Sequence, residues 1–185
     1  MSNAIEYANV PTQHSYNGQV FPQIVVNNDG CKTVEETVTF IQQNQAELEA
    51  QLAISGALLF RGFPLNSAET FDIFSAGFGY ANFTYKESLS NAVRINFTER
   101  VFTANEAPKD VEIFLHHEMA QTPISPSKVF FYCQSAADEG GATPLCRSDK
   151  LYEALKAENP ALASDFAEKG LKYTTTMPAA DDANS

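Results

Sequence analysis

The chain has 185 residues, of which 44% are hydrophobic and 11% aromatic, so it can form one domain with a core but hardly two. Its formal net charge of -11 argues against nucleic acid as a partner, because proteins that follow phosphate backbones need clustered Lys and Arg. We therefore interpret residues 1–185 as a single domain.

The sequence has no features of membrane insertion or secretion. It has no run of about 18 apolar residues, and its N-terminus lacks both the basic start and the apolar stretch of a signal peptide. These features predict a soluble, cytoplasmic protein with no membrane partner. The cysteines Cys31, Cys133 and Cys146 form no C-x-x-C pair, which favours reduced, mostly structural thiols.

The first predicted elements are a short strand and a long helix. The apolar run at 21–26 indicates a lead-in strand on the surface. Thr33 and Glu36 have the spacing of a capping box, and apolar residues then recur with helical period. The pattern predicts an amphipathic helix over 34–54.

A buried strand and a second helix are expected next. The apolar run at 56–63 is bounded by glycines, as in a buried strand, and Ser67 can cap a helix over 68–77. We interpret residues 34–80 as a scaffold of helices and strand.

The region 91–176 is predicted to supply core strands and helices. Apolar and polar residues alternate over 91–104, which indicates a half-buried strand or a hairpin arm. The apolar run at 127–134 is the clearest strand in the sequence, and Gly140 and Gly141 then form a turn.

Two helices and a strand complete the predicted elements. Ser148 is expected to cap a helix that stops before Asn159, and a short helix then runs to Gly170. A strand is expected over 171–176. Residues 179–185 have no core-forming pattern, and we expect them to be loose.

The chemistry of the chain centres on His116, His117 and Glu118. The apolar residues before them favour a strand over 113–119, and alternate residues of a strand share one face. His116 and Glu118 should therefore point together, while His117 points away. That geometry selects His116 and Glu118 as candidate metal ligands.

An imidazole and a carboxylate from one strand, with a second histidine from elsewhere, form the facial triad of non-haem iron(II) oxygenases. Three ligands on one face leave positions for a 2-oxo acid and dioxygen. The H-x-E pattern alone is short, however, and it also fits a hydrogen-bonded His116 beside a surface Glu118.

Four separated sequence blocks add context: Gly56 to Phe63, Thr103 to Pro108, Leu115 to Met119, and Pro126 to Cys133 followed by Gly140 to Leu145. In order and spacing they resemble the taurine dioxygenase/TfdA-like family, and more closely its SyrP-like branch, from about residue 56 onward.

The resemblance implies a mostly β fold with flanking helices, in which a double-stranded β-helix (jelly-roll) core is incomplete in this chain. It also implies Fe(II) bound by His116 and Glu118, with 2-oxoglutarate and O2 as co-substrates. Thr143 follows a Gly-Gly turn where the family has a threonine that contacts 2-oxoglutarate, although a turn threonine bonded to its own backbone is the alternative. Thr103 and Asn105 resemble positions on the substrate side, and a simple turn explains Asn105 equally well.

The chain departs from the family after Thr143. Family members have a second metal-binding histidine there and an arginine that pairs with 2-oxoglutarate, but no histidine follows His117 and the last arginine is Arg147. Three explanations stay open: the sequence is a first segment, the gene product is truncated, or a second chain supplies the missing strands. We favour the first, because half a jelly roll would expose sheet edges.

The resulting hypothesis is an Fe(II)/2-oxoglutarate-dependent dioxygenase that hydroxylates a small amino-acid-derived or natural-product substrate and releases succinate and CO2. Glu118 argues against a halogenase, in which a small residue would replace the carboxylate. A metal-dependent hydrolase or isomerase and a degenerate, non-catalytic jelly-roll binding module are the alternatives. The expected partner is the missing C-terminal segment or a second chain, and a homo-oligomer stays open.

Overall fold

The computed structural model describes residues 4–83, 94–104, 111–120 and 122–174. The regular elements of these residues, in chain order, are β1 (Glu6–Ala8), β2 (His14–Tyr16), β3 (Gln19–Phe21), β4 (Gln23–Val26), α1 (Val34–Ser55), β5 (Leu58–Arg61), α2 (Ala68–Ala76), α3 (Ser148–Glu158) and α4 (Pro160–Lys169). None of these helices is both long enough and apolar enough to cross a membrane.

Helix α1 confirms the predicted helix and its capping box. The Glu36 N–H donates to Thr33 Oγ1 at 3.2 Å, and the Thr33 N–H donates to Glu36 Oε2 at 3.3 Å, so two otherwise unpaired donors are satisfied. The helix ends at Gly56, where φ is 83° and the N–H donates to the Leu52 carbonyl. Its buried face includes Val34, Phe40, Ile41 and Leu48.

A three-stranded sheet, in the order β1-β4-β5, lies against α1. β1 is antiparallel to β4, and β4 is parallel to β5 with Val25 opposite Phe60. Strands therefore lie within the predicted runs 21–26 and 56–63, in shorter form, as β4 and β5. Their burial differs from the prediction: β4, expected on the surface, has Ile24 and Val25 buried between β1 and β5, whereas β5, expected to be buried, has half-buried and exposed side chains. Val25 is fully buried, which places the middle of this sheet in the core.

A hairpin of β2 and β3 lies between β1 and β4 in the chain and was not predicted. Its two-residue turn is Asn17 and Gly18, with φ values of 53° and 83°. Asn-Gly is the preferred pair for such turns because both positions need positive φ. This dipeptide is the signal that would have found the hairpin.

Helix α2 begins at the predicted cap, Ser67, whose hydroxyl accepts from the Thr70 N–H at 3.3 Å. It contributes Phe74 to an aromatic core in which Phe60 contacts Phe74 and Phe78 edge to face, at centroid distances of 5.2 and 6.1 Å. Helices α1 and α2 and strand β5 therefore pack around an aromatic centre.

The segment 127–134 contains no strand, so the clearest strand prediction was wrong. Its side chains still alternate: Phe130 packs 5.4 Å from Phe78 and Tyr132 stacks on Phe71 at 5.2 Å, while Phe131 is 68% exposed. The side-chain period of a strand is present, but a strand also needs a backbone partner. Among the described residues, no strand pairs with the backbone of 127–134.

Two other strand predictions were also wrong over the described residues. Residues 113–119 and 171–174 are not in strands, and 175–176 lie outside the described part of the chain. In 94–104, Asn96 and Phe102 form one antiparallel bridge, which agrees with a short hairpin arm. The strand predictions at 113–119 and 171–174 failed for the same reason as the one at 127–134: cross-strand pairing depends on residues distant in sequence.

The two C-terminal helices lie where they were predicted, with one correction. Ser148 is the first residue of α3 rather than its cap, and Arg147 precedes it without a side-chain cap bond. α4 begins at Pro160, and Asn159 Oδ1 accepts from the Leu162 N–H at 3.1 Å. It ends, as predicted, at Gly170.

Across the described residues, the helices contain more residues than the strands, so the expectation of a mostly β chain is not met there. The two small sheets do not close into a barrel, which agrees with an incomplete core. Cys31 is buried, whereas Cys133 and Cys146 are exposed, and all three are free. The predicted loose end at 179–185 lies outside the described residues.

Candidate metal centre

His116 and Glu118 lie side by side. His116 Nε2 is 4.0 Å from Glu118 Oε2, and the two side chains are 59% and 19% exposed. The predicted pairing is therefore present, but the backbone that produces it is a turn rather than a strand. Met119 has φ of 60°, and the Ala120 N–H donates to the His117 carbonyl at 3.3 Å.

A backbone carbonyl orients the His116 ring. Nδ1 lies 2.7 Å from the Phe114 carbonyl oxygen, and a carbonyl only accepts, so Nδ1 carries the proton. In the neutral ring, Nε2 then has the lone pair, and Nε2 is the atom that faces Glu118. This is the arrangement by which proteins orient metal-binding histidines.

His117 has a different partner, as the sequence predicted. Its Nε2 lies 2.6 Å from the Ser148 hydroxyl, at the first turn of α3. This contact links the H-x-E segment to α3, whereas the neighbouring His116 faces Glu118. His117 is thus placed as a structural anchor.

Glu118 is held by an arginine that no sequence pattern connects with it. Arg94 Nη2 donates to Glu118 Oε1 at 3.1 Å, and both side chains are mostly buried. The two residues are 24 positions apart, and no local pattern joins them. Only the fold could reveal the pair.

The two side chains have suitable chemistry for a divalent metal ion. Bonds of about 2.0–2.2 Å to each donor would hold neighbouring donors about 3 Å apart, so the pair must close by about 1 Å. Across 4–83, 94–104, 111–120 and 122–174, no group of three or more His, Cys, Asp and Glu side chains could hold a metal ion.

The other predicted site residues are Thr103, Asn105 and Thr143. Thr103 is part of the hairpin arm, where its Oγ1 accepts from the Ile95 N–H at 3.0 Å. Asn105 lies outside the described residues. Thr143 is exposed, three residues beyond Gly140, which has φ of 67°. The roles of Thr103 and Thr143 stay predictions.

An ion pair between Arg147 and Asp149 flanks Ser148 in the chain. Arg147 Nη2 donates to Asp149 Oδ2 at 2.6 Å, and this hydrogen bond is the largest cause that lowers the pKa of Asp149 to about 2. Arg147 Nη1 also donates to the Ile54 carbonyl at 2.9 Å. Arg147 thus ties the end of α1 to the start of α3, the helix that His117 contacts.

Comparison with known proteins gives a consistent result. The model of the taurine catabolism dioxygenase TauD, TfdA family matches residues 32–182. A clavaminate synthase-like protein of Arabidopsis thaliana is 36% identical over 181 residues, which cover 95% of this chain and 54% of the relative. The dapdiamide synthesis protein DdaC of Enterobacter agglomerans is 31% identical over 122 residues, which cover 66% of this chain and 36% of the relative. The chain thus spans about half the length, or less, of these relatives.

Proposed function

The chain belongs to the TauD/TfdA family of dioxygenases, and we propose that it supplies part of an iron(II)- and 2-oxoglutarate-dependent active site in which His116 and Glu118 are metal ligands. The observation that carries this proposal is the approach of His116 Nε2 to Glu118 Oε2, 4.0 Å apart. Bound iron and 2-oxoglutarate would supply the oxidising chemistry, coupling release of succinate and CO2 to hydroxylation of a substrate.

The residues of this chain would hold and orient the ligands. The Phe114 carbonyl keeps the proton on His116 Nδ1, so that Nε2 is available as a donor toward the metal. Glu118 contributes a carboxylate oxygen and a negative charge. Such oxygen ligands suit hard and borderline cations. His117 fixes the segment to α3 through Ser148.

The third ligand must come from outside the described residues, and we place its source at an exposed apolar surface beside the pair. Phe114 is 72% exposed and Leu115 is 61% exposed, directly before His116. Exposed side chains of this size are typical of a surface that another polypeptide covers. A further segment, either continuous with the chain or separate, would bring the second histidine and the arginine for 2-oxoglutarate to this surface.

The proposed substrate is a small amino-acid-derived or natural-product molecule. The support is that one relative is a dapdiamide synthesis protein and the other is a clavaminate synthase-like protein. Thr143, which follows the Gly140 and Gly141 turn, is proposed to bind a carboxylate of 2-oxoglutarate through its hydroxyl.

Succinate formation tests the proposed activity. The intact protein is incubated with 2-oxoglutarate, iron(II) and oxygen, and wild type is compared with His116→Ala and with His117→Ala as the matched control. We expect succinate from wild type and from His117→Ala, and none above background from His116→Ala. Absence of succinate from the wild-type protein would overturn the oxygenase, and unchanged turnover in His116→Ala would remove this residue from the site.

Metal titration separates the enzyme from a degenerate binding module. Iron binding that His116→Ala abolishes, without any succinate, would favour a module that kept the site and lost the chemistry. Metal-dependent hydrolysis or isomerisation without 2-oxoglutarate would instead favour the other enzyme class.

A further inference from the structure

The ion pair between Arg94 and Glu118 is more enclosed than most surface pairs. Arg94 Nη2 lies 3.1 Å from Glu118 Oε1, and the side chains are only 18% and 19% exposed. The Arg94 guanidinium also lies over the Phe102 ring, with its carbon 5.1 Å from the centroid. The contacts that hold Arg94 thus include one to the proposed carboxylate ligand.

The backbone beside Arg94 is fixed by the hairpin arm. The Ile95 N–H donates to Thr103 Oγ1 at 3.0 Å, and the Thr103 N–H donates to the Ile95 carbonyl at 2.9 Å. Val101, at the far end of the arm, is 7% exposed and belongs to the core. The guanidinium is thus presented to Glu118 from a segment anchored in the core.

The two oxygens of Glu118 face different partners. Oε1 accepts from Arg94, whereas Oε2 is the oxygen that faces His116 Nε2, at 4.0 Å. We propose that Arg94 is a positioning residue of the metal centre: by holding Oε1, it directs Oε2 to the metal as a single-oxygen ligand. This inference rests on the proposed function.

The positive charge of Arg94 has the opposite effect on metal binding. A guanidinium is a permanent positive charge, and it repels a metal cation that approaches the same carboxylate. If repulsion dominated, removing Arg94 would tighten metal binding. Hydrogen bonds that orient metal ligands, in contrast, typically raise metal affinity by about 10–100-fold.

Manganese(II) binding decides between the two effects. The intact protein is titrated with Mn²⁺ without 2-oxoglutarate, and the unbound ion is measured by electron paramagnetic resonance. We expect Arg94→Met to weaken binding by about tenfold or more, and Arg94→Lys to recover part of that loss.

Arg100 offers a matched control. Its Nε lies 3.3 Å from Asp72 Oδ1, with side chains 31% and 26% exposed, so it is a comparable pair next to the same arm. Arg100→Met should leave Mn²⁺ affinity within about twofold of wild type, because effects of independent sites add. Circular dichroism establishes that each variant is folded. If Arg94→Met does not fold, Arg94→Ala, which also removes the hydrogen-bond donor to Glu118 Oε1, carries the same expectation of weaker binding.

Each outcome has one meaning. Unchanged or tighter binding by Arg94→Met, or an equal loss in Arg100→Met, overturns the positioning role. If wild type binds Mn²⁺, His116→Ala abolishes binding and the Arg94 variants do not weaken it, then only this inference fails. If wild type does not bind, or His116→Ala binds as well as wild type, the proposed metal site fails as well.

Discussion

The Nε2 atom of His117 lies 2.6 Å from the Ser148 hydroxyl oxygen, although the two residues are 31 positions apart in the chain. The adjacent imidazole of His116 faces Glu118 instead. Neighbouring histidines therefore have different partners, one on the proposed metal centre and one on α3. The two contacts can be tested separately.

A double-mutant cycle tests the anchor. We expect His117→Ala and Ser148→Ala each to lower the free energy of unfolding, with a coupling of about 0.5–1.5 kcal/mol, the usual contribution of one hydrogen bond. Urea unfolding of the wild type, both single variants and the double variant measures the coupling. Strictly additive effects would show that the hydrogen bond contributes nothing to stability.

A core substitution in α1 tests the scaffold. Leu48 is 1% exposed, so Leu48→Ala should cost about 2–5 kcal/mol of unfolding free energy through lost burial and a cavity. Ile54 lies on the same helix but is 46% exposed, and Ile54→Ala should cost much less. Thermal and urea unfolding provide the comparison, and equal losses at the two positions would contradict the assigned buried face.

Local sequence signals predicted the scaffold well. The capping box of Thr33 and Glu36 and the cap at Ser67 set the starts of α1 and α2, and both act within four residues of the chain. Such elements need no knowledge of distant residues. Local signals also predicted the end of α4 at Gly170, where the Gly170 N–H donates to the Phe166 carbonyl.

Pairing between distant residues could not be predicted in this way. The apolar run at 127–134 predicted a strand, and Phe130 and Tyr132 do pack against the core, but the run could not supply the partner strand that a ladder needs. At the site, the sequence placed His116 and Glu118 together, whereas Arg94 was recognised only once the fold brought it to Glu118. Side-chain identity is local information, but contact between these side chains is a property of the fold.

The pair of Arg147 and Asp149 predicts a pH dependence. Asp149 has its pKa lowered from 3.8 to about 2, mainly by the hydrogen bond from Arg147. A carboxyl with a depressed pKa in the folded state stabilises the fold above its ordinary pKa, and that contribution is lost as pH falls. The stability difference between wild type and Asp149→Asn should therefore be full above 3.8 and shrink as pH falls toward about 2.

Asp165 provides the control for that experiment. Its ion pair with Lys169 joins side chains that are 55% and 70% exposed, so Asp165→Asn should change stability little at any pH. Melting temperatures from pH 2 to 7 give both curves. A difference for Asp149→Asn that grows on acidification would have the wrong sign and would exclude the Arg147 contact as its source.

The proposed role of Thr143 predicts a specific kinetic defect. A hydroxyl that donates to a carboxylate of 2-oxoglutarate contributes about 1.5–3 kcal/mol, so Thr143→Val should raise the KM for 2-oxoglutarate by about 10–100-fold. Thr143→Ser keeps the hydroxyl and should stay close to wild type. The measurement is succinate formation at varied 2-oxoglutarate. A threonine bonded only to its own turn would leave the KM of both variants unchanged.

In the turn before Thr143, alanine is expected to be more disruptive at Gly141 than at Gly140. Gly140 and Gly141 have φ values of 67° and 68°, so an added Cβ is strained by about 1–2 kcal/mol at either position. At Gly141, however, that Cβ would lie 2.7 Å from the Ala137 Cβ, whereas at Gly140 it meets nothing within 4 Å. Since an atom pair cannot remain at that separation, the turn must move in Gly141→Ala. We expect Gly141→Ala to lower the melting temperature more than Gly140→Ala does. It should also raise the KM for 2-oxoglutarate, because the movement lies two residues before Thr143.

Equal effects of the two variants on both measurements would show that the close approach of Ala137 does not constrain this turn.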